Sequence, residues 1–216
     1  MKILIVKPGT AGPRTGNDIT MLRWAQLLRG LGHEVQTGTD FEGQEADVLV
    51  AMHCYYSYAA IKRWQAERPK RPVVVALTGT DIYRDINDKP EVVASMDMAT
   101  RLVALQAKAA EAVPERLRGK VRVIYQSAEN VPRRRERRDG KFRVCAIGHL
   151  RPLKDPLLAA EAARGLPADS RVEVHALGRA MTPEMERDAR AEERRNPRFR
   201  WLGERSHAES LEFLAG

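Results

Sequence analysis

The stretch VVVALTGTDIYRD, Val73 to Asp85, decides the fold. Its first five residues carry no polar side chain, which is how a strand buried on both faces reads, and such strands belong to parallel sheets. After Leu77 the chain breaks into small polar residues, so TGTDIYRD reads as a loop beyond the strand's carboxyl end. In open parallel sheets, ligands bind outside that end.

Working outward, short β-rich runs alternate with helical patterns along the whole chain, the order that builds parallel sheets. Before Val73 the pattern gives strand Ile3–Val6, helix Asp18–Arg29, strand Glu34–Gln36, strand Val48–Met52 and helix Tyr58–Glu67. The first helix carries Ile19, Leu22, Trp24, Leu27 and Leu28 near helical spacing, with Asn17 or Asp18 as its cap and Gly30 or Gly32 as its end. After the loop come helix Glu91–Met98, strand Leu102–Leu105, helix Gln106–Ala112 and strand Val121–Tyr125. VPRRRERRDG, Val131–Gly140, has five arginines between a proline and a glycine and no apolar periodicity, so it reads as a linker. Beyond it the pattern restarts: strand Phe142–Ile147, helix Leu157–Ala163, strand Arg171–Leu177, helix Pro183–Arg194, strand Phe199–Leu202 and helix Ala208–Leu214. The expectation is an α/β protein of two Rossmann-like parallel-sheet domains, 1–130 and 141–216, joined by residues 131–140. Three strands after the linker fall short of the usual five or six, so the second domain is expected to be incomplete at its carboxyl end.

Composition narrows the function. The 216 residues include 43% hydrophobic ones in short blocks, enough for a core and too scattered for a membrane span. The start, MKILIVKPG, reads as a first strand rather than a signal peptide. Two cysteines, Cys54 and Cys145, lack disulfide-scaffold or metal-ligand spacing and fit a reducing cytoplasm. The net charge of +8 invites a nucleic-acid reading. However, much of the surplus lies in the linker, the runs such as MERDARAEERR read as solvated helix faces, and no nucleic-acid-binding signature accompanies them.

Five segments stand at strand ends. KPGTAGPRTGND, Lys7–Asp18, places Gly16 and Asn17 before a helix, where backbone N–H groups suit an anion; its glycines do not match the dinucleotide fingerprint. His53 follows a strand and can be a general base, a donor to substrate or a structural histidine. Thr78, Gly79, Thr80 and Asp81 can bind phosphate or sugar, with Arg84 adding a cation; Asp81 is either catalytic or a cap. Tyr125-Gln126-Ser127-Ala128 closes the first half and is expected at the interdomain cleft. IGHLRPLKDP, Ile147–Pro156, sets Gly148, His149, Arg151 and Lys154 after a strand, as a diphosphate clamp or as solvated cations before a helix capped by Asp155.

These residues resemble the GT-B glycosyltransferases of the retaining family 4 type. LGHEV (Leu31–Val35), the T-G-T-D after a buried strand and the spacing of Gly148 and Lys154 carry the resemblance. His149 stands where that pattern has Arg, with Arg151 nearby. The run LRWAQLLRGLGHEV, VVALTGTDIYRD, VIYQSA, GHLRPLKDPLLAA and NPRFRWLGE is similar to the selenosugar synthases of selenoneine biosynthesis. That resemblance implies a hexosyl transfer from a UDP-sugar, N-acetylglucosamine being the expected sugar, to selenium from selenophosphate. It implies no cofactor beyond the UDP-sugar co-substrate, and no metal; the sequence has no Asp-x-Asp pair. It places Gly16, Asn17, Gly148, His149, Arg151 and Lys154 on the donor, Arg14, Thr78, Gly79, Thr80 and Arg84 on the acceptor, and His53 and Asp81 at the chemistry. Partners are these small molecules, with neither nucleic acid nor stable membrane insertion. The family's later glycine-rich segment and its E-x7-E-type element are missing before Gly216, so the expectation includes a chain with a weakened donor site. Other classes kept open are a family 4 enzyme with a glycan or small-molecule acceptor, and an inactive binding module.

Overall fold

The computed structural model describes residues 1–7, 9, 16–128 and 140–215. The chain divides into two compact units, Met1–Ala128 and Glu129–Gly216. The arginine-rich run 131–139 and Arg14 lie outside the described residues.

Unit 1 contains β1 (Lys2–Val6), α1 (Gly16–Gly30), β2 (Glu34–Gly38), β3 (Val48–Met52), α2 (Tyr58–Glu67), β4 (Val73–Leu77), α3 (Thr80–Tyr83), α4 (Pro90–Met98), β5 (Arg101–Ala104) and β6 (Val121–Val123). The six strands form one sheet in the order β2-β1-β3-β4-β5-β6, every pair parallel. Successive side chains of a strand point to opposite faces. Thus Leu4, Val6, Leu49, Ala51, Val73, Val75 and Leu77 join one core with Ile61 and Trp64 of α2 and Val92 and Met96 of α4. Ile3, Ile5, Val50, Met52 and Ala76 join a second with Met21 and Ala25 of α1. Helices on both faces explain why β1, β3 and β4 read as unbroken apolar runs. The strand order reverses between β1 and β3, which makes their carboxyl ends the natural ligand crevice.

Three local features differ from the sequence reading. α1 begins at Gly16, so Asn17 and Asp18 lie in its first turn, not at the cap. Met21 and Ala25 are its buried residues, with Trp24 and Leu28 beside them, whereas Ile19, Leu22 and Leu27 are exposed because they fall off that 3.6-residue arc. The TGTDIYRD loop is helical: α3, then a 3-10 turn at Asp85–Asn87. The expected helix at Gln106–Ala112 is a 3-10 segment, Ala107–Ala112. Pro114 holds the preceding Val113 extended (φ −83°, ψ 136°) and stops the turn there.

Unit 2 contains β7 (Phe142–Ile147), α5 (Leu158–Arg164), β8 (Val172–Leu177), α6 (Pro183–Arg195), β9 (Phe199–Trp201) and α7 (His207–Leu214). Its parallel sheet runs β7-β8-β9. Val174, Ala176, Phe199 and Trp201 pack against Ala160, Ala163 and Ala189, small residues that bring α5 and α6 close to the strands. Thr182 caps α6 through Met185 N–H at 3.2 Å. α7 starts with a capping box between Ser206 and Glu209. The strand ends touch: a Cβ on Gly178 would lie 2.0 Å from the Gly148 carbonyl oxygen, so no side chain fits there. Asp155 does not cap α5. It sits in the left-handed region (φ 42°, ψ 61°), closing a 3-10 turn at Pro152–Lys154, and Leu157 occupies the cap position without a side-chain bond. Among the described residues, no helix is long and apolar enough to cross a membrane.

Candidate functional site

At the switch point of unit 1, β1 is followed by Lys7, whose Nζ pairs with Asp18 Oδ1 at 2.7 Å in a mostly buried contact. Sequence reasoning passed over this pair; the signal was a lysine directly after a buried strand. Gly16 is exposed and Asn17 half-buried at the start of α1. The 126–127 segment lies on α1, where Gln126 donates to Thr20 Oγ1 at 3.1 Å and Arg23 Nε to Ser127 Oγ at 3.3 Å.

β3 is followed by His53, 2% exposed and with φ 75°, a conformation that is uncommon outside glycine. Its Nε2 lies 3.0 Å from Thr80 Oγ1 and 3.6 Å from Asp85 Oδ2, and its Nδ1 lies 3.4 Å from the Tyr56 backbone N. The Tyr56 ring lies tilted against it, centroids 4.5 Å apart and planes at 50°. Burial pushes the imidazole below its ordinary value, against the Asp81 and Asp85 charges that raise it and with Arg84 lowering it further. The Cys54 thiol next door is buried, and that burial raises its pKa well above the ordinary value, so it stays protonated.

Asp81 is fully buried. Its carboxylate accepts the backbone N–H groups of Cys54 (3.1 Å), Thr78 (3.0 Å), Gly79 (2.8 Å) and Ile82 (3.1 Å). Asp81 is not the cap the sequence allowed, since it lies inside α3, whose cap position is Gly79; its bonds instead tie the end of β3 to the turn after β4. Thr78, Gly79 and Thr80 are half-buried around that turn, and Gly79 takes φ 110° to make it. Arg84 is 66% exposed, and its Nε donates to Asp85 Oδ1 at 2.7 Å. Asp85 was not singled out in the sequence; its signal was a second aspartate one helical turn after Asp81. The structure thus brings together His53, Thr78, Thr80, Asp81, Arg84 and Asp85.

In unit 2, His149 Nδ1 accepts the Arg179 backbone N–H at 3.3 Å, and Leu150 bridges Ala180. Gly148, Arg151 and Lys154 are exposed beside it, and neither cation has an ion pair among the described residues. They stand on a 3-10 turn rather than at a helix N-terminus, so their anion binding would come from side-chain charge alone. Arg179, on the adjoining strand end, was also missed, although LGR after β8 echoes IGH after β7.

No family model matches the sequence, and no curated protein matches it closely enough to count as a relative. Solved structures do match. HepE of Anabaena, in complex with UDP-glucose, superposes with a TM-score of 0.59 at 17% identity, over 98% of this chain and 71% of HepE. The same figures hold for HepE with UDP and glucose. The lipopolysaccharide outer core galactosyltransferase WaaB, in its apo form, gives 0.59 at 13% identity, over 98% of this chain and 70% of WaaB. The fold is therefore α/β of the GT-B type, two Rossmann-like parallel-sheet domains of which the second is smaller.

Proposed function

We propose that this chain is a glycosyltransferase that takes its sugar, N-acetylglucosamine, from a UDP-sugar and passes it to selenium supplied as selenophosphate. The observation that carries the transferase reading is the fold shared with HepE, whose structure holds UDP-glucose. The selenium acceptor is supported by the motif run from LRWAQLLRGLGHEV to NPRFRWLGE. In this reading Gly148, His149, Arg151 and Lys154, with Gly16 and Asn17, meet the donor. The two cations offset the charge that builds on UDP as the C1–O bond breaks, with no metal required. Arg14, Thr78, Gly79, Thr80 and Arg84 receive the acceptor anion, and His53 stands by the chemistry. Selenium is a strong nucleophile as its anion, so orientation matters more than a dedicated base. The reaction belongs in the cytoplasm.

Incubation with UDP-N-acetylglucosamine and enzymatically generated selenophosphate is expected to yield a selenium-containing sugar by mass spectrometry. Transfer to oxygen acceptors with none to selenium would overturn the acceptor, and no transfer at all would overturn the enzyme. Lys154→Ala is expected to raise the donor KM about tenfold or more, the loss of one charge-assisted contact; an unchanged KM removes Lys154 from the site. A second reading, transfer to a glycan or a larger small molecule, is favoured by Tyr56 and Tyr83, 56% and 55% exposed near Arg84, a broader surface than a small anion needs.

A further inference from the structure

The His53 ring has a defined polarity. Nδ1 faces the Tyr56 backbone N–H and can only accept there, so in the neutral ring the proton belongs to Nε2. Nε2–H then donates to Thr80 Oγ1 at 3.0 Å. A hydroxyl that accepts from the imidazole keeps its own proton for another partner, and Thr80 is half-buried at the head of α3, next to Gly79 and close in sequence to exposed Arg84. Two buried oxygens of this stretch, Asp85 Oδ2 and Thr78 Oγ1, have no hydrogen-bond partner among the described residues. A buried carboxylate oxygen without a donor calls for an explanation. Here it lies 3.6 Å from Nε2, where its charge favours a proton on that nitrogen.

We propose that Asp85, His53 and Thr80 form a relay that fixes the Thr80 hydroxyl as a hydrogen-bond donor to a phosphate-class oxyanion held beside Arg84, with Asp85 as the positioning residue. The strained backbone of His53 fits this part, since such conformations persist where surrounding contacts over-determine them. Asp81 supplies those contacts by holding the Cys54 N–H on one side and the turn on the other. The charged and titratable groups around the imidazole are Asp81 and Arg84 of α3 and its cap, Asp85 of the following turn, and Tyr56 and Cys54 of its own loop. The relay deepens the acceptor side of the function proposed above and rests on it for the class of ligand.

The test is nitrogen-15 NMR of the ligand-free full chain, followed by titration with inorganic phosphate. The wild type is expected to show His53 as the Nε2–H tautomer, with phosphate shifting the Thr80 and Arg84 signals. Asp85→Asn removes a charge that raises the imidazole and adds an amide that can donate to Nε2. It should lower the His53 titration midpoint, populate the Nδ1–H tautomer and weaken phosphate binding about tenfold or more. Thr80→Val should weaken phosphate to a similar degree, while Thr80→Ser, which keeps the hydroxyl, should bind as wild type. An Nδ1–H tautomer in the wild type, absence of phosphate binding, or equal binding by the Val and Ser variants overturns the relay. If Asp85→Asn does not fold, the Thr80 pair still decides. None of these signals depends on sugar transfer, so the relay and the transferase reading fail separately.

Discussion

Asp81→Ala is expected to cost unit 1 more than about 4 kcal/mol, enough to leave much of it unfolded at moderate temperature. The carboxylate is fully buried and accepts four backbone N–H groups, from Cys54, Thr78, Gly79 and Ile82. Alanine removes the acceptor of the Cys54, Thr78 and Gly79 N–H groups, while Ile82 N–H keeps the Gly79 carbonyl at 3.1 Å, and each amide left without an acceptor costs about 1–3 kcal/mol. Asp81→Asn keeps one carbonyl oxygen and should lose about 2 kcal/mol, from the charge and the remaining acceptor. Urea unfolding of the three proteins, followed through hydrogen exchange of the β3 and β4 amides, checks the order. An alanine variant within about 1 kcal/mol of wild type would show that the amides find other partners. Because the side chain supports the fold, any loss of activity in these variants has to be measured where they remain folded.

Much of the frame was legible because it is written locally. β3, α2, β4 and β7 match their expected limits; β3 and β4 are apolar runs because they are buried on both faces, and α2 carries its apolar face in one register. Short 3-10 segments escaped because they are set by single residues, such as the Pro114 that halts the turn after Gln106. In the candidate site, His53, Thr80 and Arg84 were legible as residues at strand ends. Their relation was not: Nε2 of His53 meets Thr80 and Asp85 only once β3 and β4 pair, and sequence spacing carries no trace of that register. The same holds in unit 2, where His149 is tied to the Arg179 N–H across β7 and β8. Asp155 reads as a cap from its place before a proline, but its left-handed backbone turns it away from that part.

The double variant Arg164→Ala with Arg195→Ala is expected to destabilise unit 2 by about 3–5 kcal/mol, more than removal of the carboxylate these arginines serve. Glu192 lies fully buried on α6, its oxygens 3.1 Å from Arg164 Nε and 2.6 Å from Arg195 and 2.9 Å from Asn196 Nδ2. Burial alone pushes this carboxyl up. The hydrogen bonds from Asn196 and Arg195 and the charges of Arg164 and Arg195 outweigh it and hold Glu192 below the ordinary carboxylate range. Taking away both cations leaves a buried charge with one amide partner. Glu192→Ala, in contrast, leaves two arginines whose side chains are already 40% and 54% exposed and can turn to water. Asn196 also still donates to the Ala160 carbonyl, so that variant should lose only about 2 kcal/mol. The pH dependence separates the two cases. In the wild type the folded pKa lies below the unfolded value of about 4.3, so the contribution is present above that pH and is lost as pH falls through the folded value. In the double variant burial dominates and the folded pKa rises above the unfolded one. The penalty then stands at neutral pH and is relieved as pH falls toward about 4.3, the opposite slope. Hydrogen exchange of the α6 and β9 amides between pH 4 and 7 reads both slopes, and parallel slopes would mean that Asn196 and water suffice to hold the Glu192 charge.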